Sequence, residues 1–462
     1  MGSNTTTTSL DDVTRKTIER RGVEAAIWGM SIVSVHAMRR AFFEDAQASY
    51  NDIAYWSKPA DWKCQVTTPT DSALYEYFNF NTKNGPVVVE IPPATEAGLW
   101  GGFMDAWQVA VADCGPKGSD QGQGGKYLFL PPNFEGEVPE GYFVVNSQTY
   151  NHYSLLRFIP RGPSQADLDG TLEMMKKVRV YPLSEAGNPP EQRFIDMVDR
   201  LFDGIVRFDE SFYAALSEMI NEEPVHEKDL AVMGLIRALG IEKGEDFSPG
   251  TEVQGILRQT AGEAHDWLMN NVETQVDPFW PDSAWGFMVP AILLTSNGTY
   301  RTPNYLDVDA RGITYFQVFT SSVNTSKLVD SKEPIATYYL ATFRDADGEP
   351  LNGDKAYTLH IPADVPTKQF WSLTMYDRET CGLILDMPRS GLDSYNEELV
   401  RNADGSVDLH IGPHAPAGKE TNWIPTAPGR DWFPYFRLYG PEAAFFTKRE
   451  DWVLPAIERV AQ

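Results

Sequence analysis

Apolar and polar positions change rhythm three times along the chain, and each change marks an expected set of elements. Residues 11–48 carry good helix formers from Arg15 to Ala48, interrupted at Gly22, with Asp11 or Asp12 placed to cap the first turn. Within this stretch Val23–Val35 is mostly apolar, which predicts a buried helix; its about 13 residues fall short of the ~20 that a membrane span requires. From Asn51 the texture turns to short runs bounded by Asn, Gly and Pro, at Ala73–Phe80, Pro86–Ile91 and Gly141–Pro160. In the last run Val144, Asn146 and Gln148 fall on one side and Phe143, Val145 and Ser147 on the other, the period of two that a strand imposes. The glycine-dense loop in 113–132 leads into the β-prone Tyr127–Leu130, and Pro131-Pro132 stops the ladder there. Residues 51–162 therefore read as a first β-sandwich.

Helical texture returns over 163–276. Helices are predicted at Asp167–Val178, Glu210–Asn221, Lys228–Leu239 and Pro249–Val276. Another is predicted where Phe194, Val198, Leu201 and Ile205 recur at helical spacing on one face. From 277 to 462 strands are expected again, at Tyr315–Thr320, Ile335–Arg344, Lys355–Ile361, Phe370–Tyr376, Val407–Ile411 and Phe433–Tyr439. Asp-Gly and Asn-Gly turns separate several of them. The predicted fold is α+β and mainly β: a tail and helix over 1–50, a sandwich over 51–162, an acidic helical connector over 163–276 and a second sandwich over 277–462. A short echo, Leu359-His360-Ile361 and Leu409-His410-Ile411, is too brief to argue for duplication.

Composition is that of an ordinary globular protein, with 42% hydrophobic and 23% charged residues. Acids outnumber bases 65 to 39, a net charge of −26, which argues against a nucleic-acid or anionic membrane partner. The excess is concentrated in 185–273, which holds 19 acids and 7 bases and reads as the solvated faces of a helical layer. Cys64, Cys114 and Cys381 are too few for a disulfide framework or a zinc site and leave room for one bridge. No CxxC, HExxH, P-loop or GxSxG pattern is present, so no cofactor is named.

Several ordered segments are recognisable: Val87–Pro92, Asp105, Asp113 and GGKYLFLPPNFEGEVPEGYFVV; then YPLSEAGNPP, FYAALSEMINEEP and LGIEKGEDFSP; then DADGEPLNGDKAYTLHIPADVPTKQFWSLTMYD and NADGSVDLHIGPHAPAGKETNWIPTAPGRDWFPYFRLYGPE. From about residue 50 onward the chain resembles a large bacterial, fungal and viral family built of two consecutive domains of unknown function. The resemblance implies paired jelly-roll-like antiparallel β-sandwiches with a helical insertion, and an oligomer of identical chains. Many members carry an export signal; none is read here, so the compartment stays open, cytoplasmic or exported. The family supplies no catalytic residues. Where its members usually read DxxTRS, this chain has Asp377-Arg378-Glu379-Thr380-Cys381-Gly382.

Candidate chemistry comes from polar residues set among apolar ones. Glu90 interrupts an apolar strand, so it is either partnered by an arginine or poised in a cavity. Asp105 and Trp107 lie in GGFMDAWQ, where an aspartate beside aromatics is a candidate acid or base, or else satisfies a turn. Asp113 reads as a cap of the glycine loop. His152 with Tyr150 and Arg157 forms a second cluster, against the plainer reading of a hydrogen-bonded core histidine. His410 and His414 are separated by Gly412-Pro413, which rules out a helical metal pair; no metal site is expected. The assignment drawn from this is a hydrolase or lyase acting on a small-molecule or glycan-derived substrate. Asp105, Glu90 and His152 would be catalytic, and Trp107, Tyr150 and Arg157 would bind substrate. The alternative is a non-catalytic carbohydrate-binding or assembly protein.

Overall fold

Asp11 accepts a hydrogen bond from the Thr14 N–H at 2.8 Å and starts α1, Asp12–Glu44, a 33-residue helix. The structure, a computed structural model, describes residues 10–324 and 337–460. The tail over 1–9 and the first residues expected of the strand at Ile335 lie outside the described residues. From Ala25 to Val35 every residue of α1 is buried, whichever side of the helix it occupies. Such a helix belongs inside a protein rather than on its surface. Around it pack α3 (Ser211–Glu222), α5 (Thr251–Thr274) and α7 (Val308–Gln317); further helices are α2 (Gln165–Met175), α4 (Leu230–Ile236) and α6 (Ala291–Thr295). Gly22, an apparent interruption in the sequence, is where α1 meets α5: an added Cβ would stand 2.4 Å from Thr260 Oγ1.

Two sandwiches flank the helices, each a six-stranded sheet on a four-stranded one. In the first, the larger sheet runs Phe194–Asp196, Ile53–Tyr55, Leu74–Asn81, Asn151–Pro160, Ala97–Asp105, Ala110–Cys114. Its partner runs Arg179–Pro182, Val87–Ile91, Gly125–Leu130, Phe143–Asn146. In the second, the larger sheet runs Asp277–Pro278, Gly286–Phe287, Thr337–Ala341, Trp432–Tyr439, Trp371–Asp377, Gly391–Asp393. Opposite it lie Trp423–Pro425, Val407–Gly412, Tyr357–Ile361 and Glu458–Arg459.

Each sandwich has its own apolar core, and a third core joins the outer faces of both large sheets to α1, α3, α5 and α7. The large sheets are thus buried on both sides. In Leu74–Asn81, Leu74, Phe78 and Phe80 fill the sandwich while Tyr75 and Tyr77 fill the central core.

The mainly β fold with its N-terminal helix agrees with the sequence, and several elements differ. Phe194–Ile205 is not a helix: Phe194–Asp196 pairs in parallel with Ile53–Tyr55, and Phe202–Asp203 in parallel with Cys64–Gln65. The left-handed φ of 64° at Asp199 turns the chain between them, and tertiary pairing overrides the helical spacing. Tyr315–Thr320 begins as helix instead of strand, because Asp307 accepts from the Ala310 N–H at 3.0 Å and caps α7, whose described residues from Ala310 onward are all buried. The sheets are antiparallel through their centres but parallel at three edges, where long connections return the chain to its starting end. The three cysteines are free and buried, so the possible bridge is not made. The sequence echo turns out to be local, since Leu359 and Leu409 are register partners on adjacent strands.

Gly312 of α7 tests how closely α1 is clasped. An added Cβ would stand 2.9 Å from the carbonyl oxygen of Ile27 in α1. Gly312→Ala is expected to lower stability by ~1–3 kcal/mol in urea unfolding, overpacking outweighing alanine's helical advantage. Unchanged or increased stability would contradict the close crossing.

Candidate functional site

Two rows of side chains meet where the large sheets face each other. On the first sheet Arg157 has Tyr75 and Trp100 as register partners on the neighbouring strands. On the second Arg437 has Tyr339 and Ser372. Tyr75, Trp100, Arg157, Tyr339 and Arg437, with Met38 of α1 and loops around 66–69, 287–289 and 318–322, line a largely apolar cavity of about 220 Å³.

The loops are held firmly. Thr68 has a φ of 44°, a strained conformation for a β-branched residue. Its N–H donates to the Cys381 carbonyl at 2.7 Å, its Oγ1 donates to the Gln317 carbonyl at 2.7 Å, and its own carbonyl accepts from Arg437 Nη2 at 3.1 Å. The corner at Asp377–Gly382 thereby supports the cavity wall. The loop at 318–322 lies over Gly102, where an added Cβ would stand 2.2 Å from the Ser321 carbonyl oxygen. Asp113 anchors the end of that loop by accepting from Ser322 Oγ at 2.6 Å and the Val323 N–H at 3.2 Å. The glycine-loop cap expected of Asp113 is supplied by Asp120, which accepts from the Gly115 and Gly124 N–H groups at 2.8 and 3.1 Å.

Arg437 is 2% exposed. Its Nη2 also donates to Tyr376 Oη at 2.6 Å, and its guanidinium carbon lies 5.0, 5.3 and 5.5 Å from the ring centres of Tyr435, Tyr339 and Tyr376. Among the described residues its Nε and Nη1 have no hydrogen-bond partner. Arg157 Nη1 donates to Tyr339 Oη at 2.6 Å, while its Nε is unpartnered. Among the described residues neither guanidinium has a carboxylate within ion-pair distance. The hydroxyls of Thr67 and Thr320 on the same lining also lack partners. Burial acts to raise the Tyr339 hydroxyl, but Arg157 and Arg437 outweigh it and hold it below its ordinary value.

Of the six residues singled out in the sequence, Arg157 lines this cavity and the others do not. Glu90 sits on the four-stranded sheet, where Lys126 Nζ is 2.8 Å away and Tyr181 donates to it. Burial pushes its carboxyl up, and those two partners pull it below the ordinary range. Asp105 ends a strand of the six-stranded sheet and accepts from the Trp107 and Val109 N–H groups at 2.8 and 2.9 Å. Burial raises it to about 6 even so. Trp107 is in the central core, 4.8 Å from Trp28 between ring centres and within 5.1 Å of the Arg311 guanidinium. Tyr150 meets Glu223 through its backbone N–H at 2.7 Å. His152 lies inside the first sandwich, stacked on Phe80 at 5.1 Å, its Nδ1 donating to the Tyr150 carbonyl at 3.0 Å and its Nε2 unpartnered. Burial lowers it to about 4. Asp105 and His152 are cross-strand register partners, whereas Glu90 is on the opposite sheet.

Arg437, Tyr339, Tyr75 and Tyr435 were not singled out. An arginine within the aromatic run WFPYFRLY was the available signal. Among the described residues no group of three His, Cys, Asp or Glu is placed to hold a metal ion, and no helix is long and apolar enough to cross a membrane.

Residues 50–182 match the family described as a protein of unknown function, DUF1254, and residues 336–443 match the protein of unknown function DUF1214. The chain belongs to the family that joins these two domains in this order. The VPA0106 protein from Vibrio parahaemolyticus is similar in fold, with a TM-score of 0.55 at 16% identity, over 96% of this chain and 100% of that one. An uncharacterised protein from Burkholderia cenocepacia aligns over 97% of this chain and 95% of its own, at 14% identity and a TM-score of 0.39. No curated protein matches. Membership in the DUF1254–DUF1214 family brings no assigned chemistry, so the cavity has to be read from its own residues.

The buried histidine gives a pH test of the packing around the expected residues. His152 is uncharged in the fold, about 4 against an ordinary 6.5. Between those values the unfolded chain takes up a proton that the folded chain does not, so stability falls as pH drops through the window, by up to ~3 kcal/mol. Asp105 acts oppositely: its raised carboxyl contributes most at acid pH, and that contribution is lost as pH rises through about 6. His152→Phe removes the histidine contribution alone. Its urea-unfolding free energy should fall less than the wild type's between about pH 7 and about pH 4.5; an equal fall would contradict a neutral ring at this position.

Proposed function

We propose that the protein binds a small organic anion with an apolar body in the cavity between its two large sheets. The observation that carries this is Arg437, a buried guanidinium with two donor nitrogens, Nε and Nη1, unused and, among the described residues, no carboxylate within ion-pair distance, Asp71 acting on it only from farther off. Withdrawing a charge from water costs several kcal/mol unless a counter-charge and hydrogen bonds replace the solvent. A ligand carboxylate supplies both. The volume is sufficient for a ring-bearing acid: about 220 Å³ here, against the roughly 150 Å³ apolar cavity that takes benzene in an engineered protein. The aromatic and aliphatic lining favours such a body over a sugar, whose hydroxyls would be left without partners. Asp105, Glu90 and His152 do not line the cavity, so the placement of these groups lends nothing to a hydrolase or lyase built on them.

Calorimetric titration with benzoate and with benzamide tests the reading. Benzoate should bind in preference to its neutral counterpart, and Arg437→Gln should weaken it about tenfold to a hundredfold, the worth of a hydrogen bond to a charged group. Equal binding of the two probes, or an Arg437→Gln variant that melts like the wild type and keeps full affinity, would overturn it.

A further inference from the structure

We propose that Tyr339 is the proton-transferring residue of this cavity, and that the molecule held there carries an acidic C–H next to a carbonyl, as 2-oxo acids do. The proposal rests on the anion-binding reading above and adds a reaction to it.

The position of Tyr339 is the first ground. It stands between the two guanidinium groups: Arg157 reaches from the opposite sheet to donate to its oxygen at 2.6 Å, and Arg437, its register partner, lies 5.3 Å from its ring centre. A short bond from a cation to a phenol oxygen stabilises the phenolate. The second ground is elimination among its neighbours. Among the described residues no carboxylate or imidazole lines the cavity. The other groups that could release a proton there are Cys64, Tyr75 and Tyr435, and burial pushes all three up. Tyr339 is drawn the other way by Arg157 and Arg437. The third ground is the set of three unused N–H donors on Nε and Nη1 of Arg437: two meet a carboxylate and one is available to charge that develops on a neighbouring bound oxygen.

The step balances without a co-reactant. The phenolate oxygen of Tyr339 takes the proton from the carbon beside the carbonyl. The C–H electron pair becomes the C=C bond, and the carbonyl π pair moves onto oxygen, where the Arg437 Nη1 N–H that the carboxylate leaves free meets the negative charge. The Tyr339 hydroxyl then returns the proton to that oxygen, which restores the phenolate and leaves the enol. Nothing is oxidised and no group departs; the net change is keto–enol isomerisation.

Phenylpyruvate is the probe, since it joins an aromatic ring, a carboxylate and an acidic C–H. Its isomerisation is followed by the ultraviolet absorbance of the enol, and its binding by quenching of protein tryptophan fluorescence, because Trp56 and Trp100 line the cavity. The wild type should accelerate isomerisation about a hundredfold or more over buffer, a usual yield of general acid–base catalysis. Tyr339→Phe should bind phenylpyruvate and isomerise it at the buffer rate. In the wild type itself, tyrosinate absorbance should appear at lower pH than in free tyrosine, which needs no variant to fold. Binding of phenylpyruvate with no acceleration, acceleration retained in Tyr339→Phe, or no early tyrosinate overturns the proposal and leaves anion binding standing. If neither benzoate nor phenylpyruvate binds, both readings fall together.

Discussion

Two positive charges held inside a mostly apolar space, with no carboxylate within ion-pair distance among the described residues, are the constraint on which the rest of the molecule turns; Asp71 acts on Arg437 only from farther off. Arg157 and Arg437 come from central strands of different sheets, and each is tied to the other half's surroundings: Arg157 to Tyr339, Arg437 to the Thr68 carbonyl. Faces of Tyr435, Tyr339 and Tyr376 offset part of the desolvation through cation–π contact, and the bond to Tyr376 offsets more. What remains uncompensated is directed at the cavity. A buried charge left short of partners is expensive, and proteins retain such arrangements where a ligand completes them.

The architecture follows from the need to keep those two rows in register. Each sandwich buries its own core, and α1 with its partner helices binds the outer faces of the large sheets into a third. The cavity is a gap in that third core, bounded by Met38 of α1 and by the loops beside it. Thr68 shows the same logic at small scale. A strained residue persists there because three hydrogen bonds fix it, one from each of three separate parts of the chain.

Much of the fold was legible in the sequence where local signals were strong. The helix at α1, its cap at Asp11 and the strands at Leu74–Asn81, Tyr357–Ile361 and Trp371–Asp377 lie close to where pattern placed them. Phe194–Ile205 misled because short parallel pairings, invisible to local spacing, decided its conformation. Tyr315–Thr320 misled because a helix buried on every side has the apolar density of a strand. The site was less legible for a related reason. Glu90 stood out as a carboxylate among valines, yet its cross-strand partner Lys126 is what explains it. Tyr339 and Arg437 fall inside the expected strands Ile335–Arg344 and Phe433–Tyr439, and nothing in the order of residues shows that Arg157 meets Tyr339 from the other large sheet.

Diffraction from crystals grown with 4-bromobenzoate tests the central claim most directly, because anomalous scattering locates bromine without interpretation of weak density. The expected result is a bromine peak inside the cavity between the large sheets, with the carboxylate against Arg437 Nε and Nη1 and within reach of Arg157. Bromine found only elsewhere, or a cavity that stays closed around both guanidinium groups while the compound is present, would contradict it.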